Sequence, residues 1–288
     1  MKKLFKSPNG LPKSLRDFSY RYSVSYSRYL INQLTKDYSV SDAKFSVVDH
    51  IKFFLKTLGN KERFIVDPWL NYLLVRTRIY DSFYEIAVST RNSLVVNLGC
   101  GFEKRFASFG SSRADNCRLL YFDRHINPVR DSALNDGIEP SRYFNPRFEE
   151  IDLDNVSGHS QLFSILSEYA DSTTSDIFIY LEGVTPYLTQ DSVESLLSAI
   201  SKLPFKNVYL LFDYKLLGFD DEFGASSSSI RTYRLHSNTE VLAQYFGRFG
   251  FSLQALHTPA SLYRDFGHLR MSPNAFFFDQ DCIIQVVR

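Results

Sequence analysis

The sequence predicts an α/β protein with a doubly wound, mostly parallel sheet, an N-terminal helical cap and an antiparallel C-terminal edge. Two observations carry this prediction. From residue 94 onward, short and nearly continuous apolar runs alternate with amphipathic stretches, which is typical of strands covered by helices on both faces. Before residue 94 the sequence shows helical periodicity and no clear strand. We therefore expect a helical cap over residues 1–90 and one compact, Rossmann-like sheet domain over residues 91–288.

The predicted cap contains two helical segments. "KFSVVDHIKFFLKTLG" (44–59) repeats apolar residues on one face and stops at Gly59, a residue type that commonly ends helices. "DPWLNYLLVRTRIYDSFYEIAV" (67–88) opens with Asp67, which can cap a helix, and with Pro68, which suits a first helical turn.

Four apolar runs predict the central strands of the sheet. They read "LVVNL" (94–98), "RLLYFD" (118–123), "DIFIYLEG" (176–183) and "NVYLLFD" (207–213). Three amphipathic stretches predict helices, with apolar faces formed by Leu162, Ile165, Leu166 and Tyr169, by Val193, Leu196, Leu197 and Ile200, and by Leu242, Tyr245, Phe246 and Phe249. Asp191 and Glu194 suggest a cap for the second helix, and Gly250 suggests the end of the third. The tail "NAFFFDQDCIIQVVR" predicts two strands joined by a short turn, at an antiparallel edge.

The charge balance argues against a nucleic acid or an acidic membrane as the partner. The chain carries 33 basic and 32 acidic residues, so it has no strong global field. No apolar run approaches the ~20 residues that a membrane span requires. The three cysteines have the spacing of neither a disulfide framework nor a zinc site. These observations predict a reduced, cytoplasmic protein without a metal centre.

A glycine turn follows the first predicted strand. "LVVNLGCGFEKR" (94–105) runs from buried apolar residues straight into Gly99-Cys100-Gly101, a pattern suited to a tight turn with a close neighbour. In an open parallel sheet, ligands bind at the carboxyl ends of the strands. The dinucleotide fingerprint requires a third glycine, which is missing here. A tight turn without any ligand remains an alternative on this motif alone.

Three acidic residues behind the glycine turn stand where a ligand could be bound. Asp123 ends the second strand, where one carboxylate can accept hydrogen bonds from both hydroxyls of a ribose. Asp152 could take the amino group of an adenine while Leu153 covers its ring, and Glu182 ends the strand "FIYLE". Each acid taken singly could be a helix cap or a solvated turn. Their order behind the glycine turn predicts an adenosine ligand without a diphosphate, and S-adenosylmethionine is the natural candidate.

The sequence resembles the leucine carboxyl methyltransferase family, which includes bacterial O-methyltransferases of polyketide pathways. The resemblance lies in "VVNLGCGFEKR", "YFDRH", "IDLDN" and "LEGVTPYLT", and upstream in "VDPWLNYLLVRTRIYD". It implies a class I methyltransferase fold that binds S-adenosylmethionine under a helical cap. The family's positions that contact this donor fall on Gly99 and Gly101 in the glycine loop, Arg76 and Lys44 at the methionine carboxylate, Asp152 and Leu153 at the adenine, and Glu182 near the methionine amino group.

Two segments depart from the family pattern. Glu103-Lys104-Arg105 stand where the family usually has D-T-R, and Asp123-Arg124-His125 stand where it usually has E-V-D. The second departure leaves Asp123 as the expected ribose contact, with His125 in the place of a second acid.

The resemblance implies an S-adenosylmethionine-dependent O-methyltransferase (EC 2.1.1) acting on a carboxylate of a small apolar acceptor, either a small molecule or a peptide. A carboxylate with a pKa of about 4 is ionised at neutral pH and needs no general base. The absence of an obvious catalytic dyad is compatible with this chemistry, and the sequence identifies no catalytic residue. Tyr187 and Asp213 are expected on the acceptor side, although packing or turn capping would explain them equally. Two alternatives stay open, a protein of this fold that binds the donor without turnover and a nicotinamide oxidoreductase.

Overall fold

The computed structural model describes residues 68–101, 105–108, 117–127, 146–171, 174–217, 233–258, 260–262 and 281–288. The chain divides into two compact units. One comprises Met1–Ile79 and Thr258–Asp279, and the other, which holds the sheet, comprises Tyr80–His257 and Gln280–Arg288. Lys44, the first predicted cap helix and residues 274–280 of the tail lie outside the described residues.

The described elements alternate as the sequence predicts from β1 onward. In chain order they are α1 (Pro68–Ser89), β1 (Ser93–Leu98), α2 (Arg105–Ser108), β2 (Arg118–Asp123), β3 (Arg147–Glu150), α3 (Val156–Ser167), β4 (Asp176–Leu181), a 3₁₀ turn (Thr185–Tyr187), α4 (Gln190–Ile200), β5 (Asn207–Leu216), β6 (Arg234–Leu235), α5 (Thr239–Gly247), β7 (Ser252–His257) and β8 (Asp281–Val287).

The strands form one mixed sheet with the order β3-β2-β1-β4-β5-β8-β7, and β6 pairs with the end of β5. Strands β3, β2, β1, β4 and β5 are parallel, whereas β8 runs antiparallel to both β5 and β7. The chain leaves β1 towards β2 and β3, then returns to place β4 on the other side of β1. The strand order therefore reverses between β1 and β4, the position at which doubly wound sheets hold ligands.

The predicted central strands are confirmed, whereas β3, β6 and β7 were not predicted. β1, β2, β4 and β5 coincide with the four apolar runs because each is covered on both faces. Strand β3 was missed because "RFEE" stays partly exposed along its length and carries no apolar run. The tail strand β8 is antiparallel as expected, but its outer partner is the partly exposed β7.

The predicted apolar faces of the helices are buried or half-buried. In α4, Val193, Leu196, Leu197 and Ile200 are all buried against the sheet. Its N-cap is Thr189, whose side chain accepts from the Ser192 N–H, rather than Asp191 or Glu194. No helix in the described part of the chain is long and apolar enough to cross a membrane.

Candidate functional site

The carboxyl ends of four parallel strands meet at one edge of the sheet. The register places Leu98 of β1 opposite Phe122 of β2, and Asp123 opposite Glu150 of β3. On the other side, Asn97 of β1 lies opposite Tyr180 of β4. The residues that follow these strand ends therefore lie next to one another in space.

The glycine turn is tied to the end of β2 by three backbone N–H groups. Gly99 N and Cys100 N both donate to the Phe122 carbonyl, at 2.8 and 2.9 Å. Gly101 N donates to the Asp123 carboxylate at 2.9 Å. Both glycines have a positive φ, 73° at Gly99 and 50° at Gly101, a backbone conformation that residues with a side chain rarely adopt.

A protein side chain is the close neighbour of Gly99. A Cβ at this position would lie 2.5 Å from Cγ2 of Val184, which follows β4. The absence of a side chain at Gly99 thus lets the segments after β1 and β4 approach each other. This contact gives Gly99 a packing role at the point where the strand order reverses.

Asp123 is the acceptor that joins the glycine turn to the turn after β2. Its Oδ2 accepts from Gly101 N, and its Oδ1 accepts from His125 N at 3.0 Å. The residue is partly exposed, and a carboxylate offers about four acceptor positions. Two N–H bonds therefore do not exhaust what Asp123 can accept.

The segment after β3 presents Asp152 outward and buries Leu153. Asp152 accepts from Asp154 N at 3.1 Å and from the Arg124 guanidinium at 2.7 Å, the latter in an exposed ion pair. Arg124 belongs to the turn that departs from the family pattern, so this departure brings a cation to the predicted adenine acid.

Helix α3 holds this segment from behind. A Cβ at Gly158 would lie 2.2 Å from the Asp152 carbonyl oxygen, so the first turn of the helix packs directly on that backbone. The buried His159 bonds through Nε2 to the Leu153 carbonyl at 2.7 Å and through Nδ1 to Ser195 Oγ at 2.9 Å. Because a carbonyl only accepts, Nε2 carries the proton and Nδ1 accepts from the hydroxyl when the ring is neutral.

Glu182 follows β4 and is held by a buried arginine. Nη2 of Arg105 lies 2.7 Å from Glu182 Oε2, and Nε of the same side chain bonds to the Asp81 carboxylate. The rings of Tyr80 and Tyr180 each have their centre 5.8 Å from the Arg105 guanidinium carbon. Arg105 itself is only 2% exposed.

Asp213 supports the turn that carries Glu182. The buried Asp213 accepts through Oδ1 from Gly183 N at 2.8 Å. The Tyr80 hydroxyl, which donates to the Leu181 carbonyl at 2.7 Å, lies 3.4 Å from the same oxygen. Its backbone carbonyl accepts from the Thr185 hydroxyl. Gly183 has a φ of 69°, so the turn after β4 also uses the left-handed region.

The two other predicted positions within the described residues lie on different elements. Tyr187 ends the 3₁₀ turn and is 57% exposed. Arg76 is a partly exposed residue of α1, within the part of that helix that belongs to the unit Met1–Ile79.

The family model for leucine carboxyl methyltransferases matches residues 25–201, more than half of the chain. The chain belongs to the leucine carboxyl methyltransferase family. Members of this family take their methyl group from S-adenosylmethionine, so the chain is an S-adenosylmethionine-dependent methyltransferase. The match includes the glycine turn, Asp123, Asp152 and Glu182. A search of curated proteins found no match.

Several solved methyltransferase structures are similar to this family member at low sequence identity. Magnesium protoporphyrin IX methyltransferase from Synechocystis PCC 6803 with bound SAH is 12% identical, with a TM-score of 0.47 over 96% of this chain and 100% of that chain. A SAM dependent methyltransferase from Archaeoglobus fulgidus is 12% identical, with a TM-score of 0.45 over 83% of this chain and 99% of that chain.

Sequence reasoning missed Arg105, which pairs with Glu182, and Asp81, which pairs with Arg105. From the sequence, Arg105 stands out only as part of a departure from D-T-R, and Asp81 only as part of a predicted helix. The available signal was that Arg105 retains the arginine of the D-T-R pattern, in a short helix directly after the glycine turn. No three histidine, cysteine or acidic residues among those described stand close enough to hold a metal ion.

Proposed function

We propose that this methyltransferase transfers the methyl group of S-adenosylmethionine to a carboxylate of a small apolar acceptor. The observation that carries the proposal is that both carboxylates beside the strand reversal are engaged by other groups of the protein. Glu182 forms an ion pair with Arg105, and Asp213 accepts from Gly183 N, so the framework engages both carboxylates. The description of the family, which refers to a leucine carboxyl group, supports the same acceptor class.

The described residues fit the proposed donor. Asp123 has acceptor capacity left for ribose hydroxyls after its two N–H bonds. Asp152 presents a partly exposed carboxylate for an adenine amino group, and the buried Leu153 offers an apolar neighbour. Glu182 provides a negative charge for the methionine ammonium group. When bound, S-adenosylmethionine supplies a methyl group on a positively charged sulfur, and an acceptor oxygen that bonds to the methyl carbon displaces that sulfur.

A carboxylate acceptor does not need a histidine as a general base. The only buried histidine among the described residues is His159, and both of its ring nitrogens bond to neighbouring groups. A carboxylate with a pKa of about 4 needs no proton removed at neutral pH. The protein then contributes the alignment of the two reactants, which can lower the activation barrier by up to about 7–11 kcal/mol. The exposed Tyr187 is the better candidate for the acceptor side, and Asp213 holds the turn.

A radiolabelled methyl donor tests the acceptor class. The full chain is incubated with the donor and with matched sets of apolar carboxylic acids, their primary amides, and the corresponding alcohols and phenols. We expect label to enter the acids only, in a product that releases labelled methanol on mild alkali, as a methyl ester does. Transfer to alcohols or phenols, in an alkali-stable product and without transfer to any acid, would overturn the proposal.

A further inference from the structure

The buried guanidinium of Arg105 is an electrostatic feature of the described residues that lies outside the predicted donor contacts. It ion-pairs with Glu182 and with Asp81 at the same time. A charged group in the interior loses several kcal/mol of hydration and is retained only where its partners compensate for that loss. Two carboxylates and two tyrosine rings therefore hold the Arg105 guanidinium in one place.

The two carboxylates differ in exposure. The Asp81 side chain is 4% exposed, whereas the Glu182 side chain is 16% exposed. Asp81 thus anchors the guanidinium inside the protein, and Glu182 is the member of the set at the carboxyl edge of the sheet. The planar fork of Arg105 holds both partners in one fixed arrangement, which the single ammonium of a lysine cannot do.

We propose that Arg105 is a positioning residue for the methyl donor. It fixes the carboxylate of Glu182 in the orientation that meets the donor's α-ammonium group. This inference rests on the proposed function, because it takes Glu182 as the contact to that ammonium group. The ion pair with Arg105 involves Oε2 of Glu182.

Two ligands that differ only at the amino-acid end test the inference. S-Adenosylhomocysteine carries the ammonium and carboxylate groups, and 5′-methylthioadenosine lacks both. In titration calorimetry of the full chain, Arg105→Lys should weaken S-adenosylhomocysteine binding by about tenfold, equivalent to ~1.4 kcal/mol. Binding of 5′-methylthioadenosine should change by less than about twofold, because the adenosine contacts do not involve Arg105.

Two further variants sharpen the comparison. Glu182→Gln should show the same selective loss of S-adenosylhomocysteine affinity. The double variant should bind this ligand little more weakly than the single variant with the lower affinity, since both changes remove the same interaction. Arg118→Lys is the matched control, because Arg118 pairs with Asp171 in an exposed ion pair. It should leave the affinity for both ligands unchanged.

The parent protein provides a measurement that does not depend on a variant folding. The Nε–H of the buried Arg105 should give a slowly exchanging ¹⁵N signal, assigned through its neighbours Tyr80 and Tyr180. S-Adenosylhomocysteine should shift this signal and 5′-methylthioadenosine should not. If the parent binds neither ligand, the proposed function fails. If the parent binds both, the inference is overturned by an unshifted signal, or by an Arg105→Lys variant that weakens both ligands equally or neither.

Discussion

Among single residues, Gly99 shows how a motif first associated with a ligand also serves packing. We expect Gly99→Ala to lower the free energy of unfolding through two separate effects. A left-handed φ costs a side-chain-bearing residue about 1–2 kcal/mol, and overpacking against Val184 costs about 1–3 kcal/mol. Urea unfolding of Gly99→Ala in the parent and in a Val184→Ala background separates the two. The substitution should cost less in the Val184→Ala background, and an equal cost in both would refute the Val184 contact as a cause.

Among secondary-structure elements, helix α3 is positioned by the close approach of Gly158 to the Asp152 backbone. Gly158→Ala should push the helix away from residues 152–153, because the new Cβ would lie only 2.2 Å from the Asp152 carbonyl oxygen and a backbone atom cannot move aside locally. We expect a loss of about 1–3 kcal/mol in unfolding free energy and a weaker affinity for S-adenosylhomocysteine. Gly247→Ala in α5 is the matched control, since nothing lies within 4 Å of its Cβ position. It should be neutral, or stabilising by about 0.4–1 kcal/mol. Equal effects of the two substitutions would contradict this account.

For the molecule as a whole, the buried sheet makes stability sensitive to alkali. Burial raises the pKa of the Cys282 thiol to about 12, the charge of Asp281 adds to this effect, and a hydrogen bond with Tyr214 opposes it. In the unfolded chain a cysteine ionises near a pH of about 8.5. Between these values the unfolded chain has released a proton that the folded chain keeps, so the free energy of unfolding falls as the pH rises.

The size of this pH dependence can be assigned to Cys282 by substitution. One such group contributes at most ~1.4 kcal/mol per pH unit. We expect the unfolding free energy of Cys282→Ala to fall less steeply between pH 9 and 10 than that of the parent, measured by urea unfolding. Tyr245, whose pKa is raised to about 12 chiefly by burial, should add its own decline above pH 10 in both proteins. Identical slopes between pH 9 and 10 would exclude Cys282 as a contributor.

The central strands and the glycine turn could be predicted because their signals are local. A strand covered on both faces needs a continuous apolar run, and β1, β2, β4 and β5 all have one. The outer strand β3 was missed because its side chains remain partly exposed, which removes the apolar signal. The N-cap Thr189 was missed because it competes with two nearby acids, Asp191 and Glu194, and only the bond from Ser192 N to the Thr189 side chain decides between them.

The sequence determined which residues stand at the strand ends and to which family the chain belongs, because apolar runs, glycines and short motifs act over a few neighbouring residues. Only the tertiary structure decided that Arg105 meets both Asp81 and Glu182. It also decided that Val184 lies against Gly99. Both contacts depend on the strand order β2-β1-β4, which brings together segments that are far apart along the chain. The partners of a buried charge are whichever groups the reversal of the sheet places beside it.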